Sequence, residues 1–170
     1  MNAELIKAIV ILPGTALVYV PGALLWIAAG TSADMVPAEI TGTRLWIGLV
    51  AVVIGLAIAV WTVRLFLTVG KGTPAPWAPP RRLVVRGPYR YVRNPMITGV
   101  LFMLAGESLI LGSWPVAGWM LGFFLLNSLY FVLVEEPGLE RRLGEDYRHY
   151  KANVPRWIPR LTPWELGQEE

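Results

Sequence analysis

The chain has no cysteine and a single histidine, His149. The first absence removes disulfides, thiolate nucleophiles and cysteine-ligated zinc. Together the two leave no material for a histidine-rich metal site or a serine–histidine–aspartate triad. No Walker sequence and no G-x-G-x-x-G occurs, so the usual soluble nucleotide-binding folds are excluded. Charge is scarce as well: 16% of residues are Asp, Glu, Lys or Arg and 55% are hydrophobic, where soluble domains carry about 25% and about 45–50%. The scarcity is uneven. No charged side chain lies between Lys7 and Asp34 or between Arg44 and Arg64, and each interval can supply the roughly 20 apolar residues of a spanning helix.

A third apolar run, 96–111, is interrupted only by Glu107, and a fourth, 115–134, has no charge. The chain therefore reads as an all-α integral membrane protein, one membrane domain over 1–170. It is expected to be a bundle of four transmembrane helices near 5–29, 44–69, 95–111 and 115–134, followed by a tail, 135–170. The first run is longer than the h-region of a signal peptide, about 7–15 residues, and no A-x-A-like site follows it, so it is read as a retained helix. Pro13 and Pro21 should kink it.

What charge there is gathers in two places. The segment 70–95 holds Lys71, Arg81, Arg82, Arg86, Arg90 and Arg93 with no acid, while 30–43 holds only Asp34 and Glu39 and the turn at 112–114 holds none. The Lys/Arg excess of cytoplasmic loops puts 70–95 inside, and four spans then bring both termini to that side. This agrees with Arg141, Arg142, Arg148, Lys151, Arg156 and Arg160 of the tail. The expected setting is a multi-pass protein of a prokaryotic inner membrane. Six cations beside a bilayer are explained by topology or by anionic head groups, so no nucleic-acid partner is implied.

In the tail, Glu135 and Glu136 sit where the apolar run stops. After Pro137, Leu139, Leu143, Tyr147 and Tyr150 form a stripe, so 138–151 reads as one amphipathic helix against the membrane or the bundle. Pro155 and Pro159 end it in "VPRWIPR", whose Trp157 suits an interfacial aromatic belt. Arg64 and Glu107 are ionisable residues within the spans and mark paired or functional positions. For Arg64, snorkelling to the interface suffices.

The combination "GTPAPW" (72–77), "LVVRGPYRYVRNP" (83–95), "EEPGLERRLGEDYRHY" (135–150) and "VPRWIPR" (154–160) resembles the isoprenylcysteine carboxyl methyltransferase family and its relatives, the phosphatidylethanolamine N-methyltransferases. The resemblance covers about 100 residues, from the end of the second helix to the tail. It implies a small membrane enzyme using S-adenosylmethionine, with the cofactor in a cytosolic cavity formed by the basic loop, the inner ends of helices three and four, and the tail. The family's adenosine contacts fall on Arg82, Leu83, Val84 and Tyr89. Its H-P-x-Y turn reads Asn94, Pro95, Met96 and Ile97 here: Asn94 can still hydrogen-bond where histidine did, whereas Ile97 keeps only shape. The cofactor-binding glutamate falls on Glu135, with Glu136 supporting or substituting for it, and Tyr147 completes the set.

Methyl transfer asks the protein mainly for alignment and exclusion of water. The resemblance implies a lipid-like or prenylated acceptor drawn from the bilayer, with carboxylate O-methylation as the first expectation and N-methylation of a phospholipid amine as the alternative. A carboxylate needs no base, but an amine must lose a proton, and Glu107, Glu135 or Tyr147 would then be asked to take it. The catalytic candidates are Glu135, Glu136 and Arg156, and the acceptor-side candidates are Phe131, Arg156, Arg160 and Glu107. Phe131 occupies the place of the arginine that holds the carboxylate in the eukaryotic prenyl-protein enzymes. No metal is expected. An NADPH-dependent membrane reductase and a non-enzymatic lipid-binding protein are the other readings, separated from the first by binding of S-adenosylhomocysteine.

Overall fold

The computed structural model describes residues 3–29, 42–72, 80 and 82–165. The acidic loop with Asp34 and Glu39, most of the "GTPAPW" stretch and Arg81 lie outside the described residues. All regular structure among the described residues is helical, as the composition requires. Helix α1 is made of Ala3–Gly14 and Val20–Ala28 with the π turn Thr15–Tyr19 between them. Helix α2 is Gly42–Gly70, α3 is Pro95–Leu111 and α4 is Trp114–Leu143. A short α5, Glu145–Asn153, follows. The second and fourth, 29 and 30 residues long, exceed the roughly 20 needed to cross a bilayer, and α1 carries a 19-residue apolar stretch, Val10–Ala28. Helix α3, with 17 residues, is at the lower limit of spanning length.

The bundle is built inside out relative to a soluble protein. Trp26, Trp46, Val53, Leu129 and Leu133 are all more than half exposed, and such a belt of outward apolar side chains suits a lipid surround. Helices α2 and α3 meet along small residues instead. Gly48, Gly55 and Thr62, seven apart, are the buried residues of α2 before its last turn. They face Gly99 and Gly106 of α3 in antiparallel order. A Cβ on Gly99 would stand 2.8 Å from the Gly55 carbonyl, and one on Gly48 would stand 2.9 Å from the Gly106 carbonyl. Without side chains between them the backbones touch, which is how helices gain packing where lipid removes the hydrophobic drive. Helices α1 and α4 complete the core against α3: Ala16 of α1 meets Val100 and Leu104 of α3, with Met103 and, from α4, Trp119 and Phe123 packed around them.

Two π turns are explained by prolines. Proline has no N–H and its ring clashes with the carbonyl four residues back, and Pro21 and Pro137 each follow a π turn centred on that residue: Thr15–Tyr19 and Phe131–Glu135. The expected kink of α1 is thus a local widening. In the π register the Ala16 carbonyl would bond to the nitrogen of Pro21, which has no proton, and the indole of Trp119 donates to it instead at 2.9 Å.

The single amphipathic helix expected over 138–151 is corrected. Helix α4 continues to Leu143, and Gly144, at φ 61° and ψ −135°, turns the chain before α5. That backbone region is open to glycine and closed to residues with a Cβ.

Candidate functional site

At the end of the bundle where α2 stops and α3 starts, the connecting loop is pinned from below. Gly87 has φ +56°, and a Cβ there would come within 2.9 Å of the Trp61 ring. The 3-10 turn Gly87–Arg90 that follows carries Tyr89 inward, where its ring stacks obliquely on Phe66 with centroids 5.3 Å apart. Tyr150 of α5 donates its hydroxyl to the Tyr89 carbonyl at 2.7 Å, and burial raises the Tyr150 phenol above its ordinary range, so it keeps that proton. The tail returns over the loop: Arg93 N–H donates to the Pro155 carbonyl, Arg160 N–H to Tyr91 and Trp164 N–H to Arg90, each at 2.9 Å.

These ties bring distant charges to one carboxylate. Glu136, with its side chain 5% exposed, accepts from Arg93 Nη1 at 2.8 Å and from Arg156 Nε at 2.7 Å, and lies 3.1 Å from Lys151 Nζ. Lys151 also reaches Glu140 at 2.8 Å, and both carboxylates raise its pKa. Tyr147 is buried beside this cluster, near Arg93. The neighbouring Glu135 has no hydrogen bond or ion pair among the described residues, although it is half-buried. The π turn separates the two: Glu136 N–H bonds back to Phe131, and consecutive residues point about 100° apart.

Beside this cluster a cavity of about 450 Å³ opens between the loop and the start of α5. Val69, Leu83, Val85 and Leu143 make its apolar walls, and Arg82, Arg86 and Asp146 its polar ones. Asp146, like Glu135, has no hydrogen bond or ion pair among the described residues. A further unmet group is Arg93 Nε, a buried donor without a partner among those residues. Buried donors are nearly always satisfied, so an orphan here invites an acceptor.

The structure therefore brings together Arg82 and Leu83 on the cavity, and Glu135, Glu136, Tyr147 and Arg156 in or beside the cluster. Val84 and Tyr89 are buried beneath the loop, Val84 lying under Gly70, so Val85 lines the cavity in place of Val84. Asn94 precedes Pro95 and Met96 at the start of α3, and its side-chain amide makes no hydrogen bond among the described residues. Phe131 packs against Trp157 with centroids 5.9 Å apart. Arg160 is engaged elsewhere, donating Nη1 to the Asn153 carbonyl at 2.6 Å. Glu107 lies 12 residues into α3, about 18 Å from its start, half-exposed and away from the cluster. Sequence reasoning missed Arg86, Arg93 and Asp146. Their signal was an arginine two residues before the Pro95 that opens α3, and an acid one residue before the Tyr147 that the buried stripe requires.

Apolar walls with a few convergent ionic groups in a volume of this size are the usual form of a small-molecule site. The chain belongs to the phospholipid methyltransferase family, whose model matches residues 43–146, well over half of its length. It is a membrane methyltransferase by that membership. The match takes in α2 to the first turn of α5, and with it the cavity and both glutamates. Neither a search of curated proteins nor one of solved structures returns a match.

Proposed function

We propose that the protein uses S-adenosylmethionine to methylate a lipid-like acceptor drawn from the bilayer, at the membrane face that carries the basic loop. The observation that carries this reading is a cavity walled by Leu83, Val85 and Leu143 with Arg82, Arg86 and the exposed Asp146 at its rim, while Glu135 and the buried Arg93 Nε stay without a hydrogen bond among the described residues in the neighbouring Glu136 region. These residues fit a cofactor with a planar base, a ribose diol and an amino-acid end. From Glu135 to Leu143 the helix rises about 12 Å, enough for an extended molecule to touch both.

The cofactor supplies a methyl group on a sulfonium, already activated for transfer. Asp146 would accept from the diol, Glu135 from the ammonium, and Arg93 would meet a carboxylate. Asn94 offers a further hydrogen bond from the start of α3. The Glu136 cluster holds loop, α4 and tail in register, and Leu83, Val85 and Tyr147 exclude water.

An amine acceptor is favoured over a carboxylate by one contact: Arg156, the candidate for holding an acceptor carboxylate, is held by Glu136 at 2.7 Å. An ammonium would first give a proton to a carboxylate oxygen, and Glu135 has one to offer. The face is read as cytosolic because Arg82, Arg86, Arg141, Arg142 and Arg148 are all exposed there.

The test is binding of S-adenosylhomocysteine to detergent-purified protein, then transfer of labelled methyl from the cofactor into a total lipid and small-molecule extract. The expected product is a labelled lipid, and its chemistry decides N- from O-methylation. Absence of both binding and label would refute the proposal.

A further inference from the structure

The tail contains a loop whose position none of the site's chemistry uses. Between the backbone ties at Pro155 and Arg160, the segment 156–159 projects from the loop layer, and Trp157 shows its direction. The indole lies 4.9 Å from the ring of Phe124 and 5.9 Å from that of Phe131. Phe124 precedes Glu135 by 11 residues, about 16 Å along α4. The indole is therefore beside the apolar span and not at the polar rim marked by Glu135 and Pro95. The hydrocarbon layer is about 30 Å thick, so one leaflet is about 15 Å deep, and an indole touching both Phe131, about 6 Å from Glu135, and Phe124 lies within the leaflet at the Glu135 end.

The next residue, Ile158, is 79% exposed and Leu161 is 99% exposed. The outer surface of α4 at this level is apolar too, with Leu125, Leu129 and Leu133 all exposed. Polar groups are handled accordingly. Pro155 and Pro159 have no N–H to satisfy, Arg156 is drawn back to Glu136 at 2.7 Å, and the Arg160 guanidinium is drawn to the Asn153 carbonyl at 2.6 Å. Cations beside lipid must reach back to the rim, and Arg156 and Arg160 do so. The backbone N–H groups of Trp157 and Ile158 have no backbone partner among the described residues, so the backbone itself belongs at the hydrated rim and the side chains reach down from it.

We infer that 156–161 is a membrane-inserted finger, whose partner is the hydrocarbon of the leaflet at the Glu135 end of the bundle. Trp157 anchors it to α4, and Ile158 and Leu161 face the acyl chains. The inference rests on the bundle's spanning a bilayer and is independent of methyl transfer.

The absence of native cysteine makes the test direct. Ile158→Cys, Leu161→Cys and, as a control on the exposed face of α5, Arg148→Cys are each labelled with a nitroxide in phosphatidylcholine nanodiscs. Collision with dissolved oxygen and with a water-soluble nickel chelate is then measured for each. The labels at 158 and 161 should show several-fold higher oxygen and several-fold lower nickel accessibility than the label at 148, at unchanged unfolding temperature. Nickel accessibility at 158 and 161 matching that at 148 would overturn the inference. So would shielding of both positions from both reagents, because the finger would then be covered by protein.

Discussion

Two adjacent carboxylates should answer to opposite assays. Glu136→Gln leaves Arg93, whose side chain is 10% exposed, without its anion, while Arg156 and Lys151 are 27% and 38% exposed and can rehydrate. Removing one partner of a buried pair costs about 3–5 kcal/mol, and exposed pairs contribute about 0–1 kcal/mol. The glutamine oxygen can still accept one bond, which recovers about 1 kcal/mol. The net loss is then about 2–4 kcal/mol, carried mostly by Arg93, or a fall of about 5–15 °C in unfolding temperature for a chain of this size. Glu135→Gln breaks no ion pair among the described residues and should move stability by less than about 0.5 kcal/mol. On the proposed function its effect falls on the cofactor: loss of a bond to a charged group should weaken S-adenosylhomocysteine tenfold or more, about 1.4 kcal/mol at least. The assay is thermal unfolding in detergent at one scan rate, with and without ligand. At 100 times the dissociation constant the ligand stabilises by about 2.7 kcal/mol, so a tenfold loss halves the shift. Glu136→Gln should unfold early and keep the ligand-induced rise. Glu135→Gln should unfold normally and lose half or more of it. The reverse pattern, or equal destabilisation by both, would refute the assignment of roles.

Asp146→Asn keeps the shape of the cavity wall and should weaken S-adenosylhomocysteine about tenfold or more with unfolding unchanged; equal affinity by equilibrium dialysis would remove Asp146 from the site. Gly99→Ala sets a Cβ 2.8 Å from the Gly55 carbonyl and 3.3 Å from the Ala59 nitrogen, both backbone atoms that cannot rotate away. Forcing α2 and α3 apart should cost about 1–3 kcal/mol, read as a lower unfolding temperature, and an unchanged one would show that the helices slide freely. Glu107→Gln should give folded protein with unchanged cofactor affinity and a modest loss of turnover at most, because 12 residues of helix separate it from the start of α3. A collapse of turnover with binding intact would move Glu107 into the chemistry.

The helices were legible because charge is nearly absent from them: gaps between Lys7 and Asp34 and between Arg44 and Arg64 are long-range signals that survive error in any one residue. Their mutual packing was less so. Gly48, Gly55 and Thr62 recur every seven residues, as do Gly99 and Gly106, but a small-residue period says that a close contact exists and not which helix supplies it. The division of work between Glu135 and Glu136 could not be read, since Pro137 is visible in the sequence while the π turn it induces, which changes the direction of each side chain, is not. Nor could the return of the tail over the loop. Its ties, Arg93 to Pro155 and Arg160 to Tyr91, are backbone hydrogen bonds, which any residue but proline can donate and which leave no pattern in side chains.

The Glu136 cluster sharpens the reading of its neighbours. Burying a carboxylate among three cations is no cheap route to stability, since well-packed apolar residues often do as well. What the arrangement does achieve is to fix three separate pieces of chain against one another: Arg93 from the loop before α3, Glu136 from α4, and Lys151 and Arg156 from α5 and the tail. With cations this abundant, nothing would have prevented Glu135 and Asp146 from being paired as well. Yet each stays without an ion pair among the described residues, close to a cavity lined by Arg82 and Arg86. Asp146 is exposed, where a pair would add only about 0–1 kcal/mol, so leaving it open costs the fold little. A frame with its own charges compensated, holding two acceptors and one buried donor open beside it, is what a site requires when its missing partners arrive with the ligand.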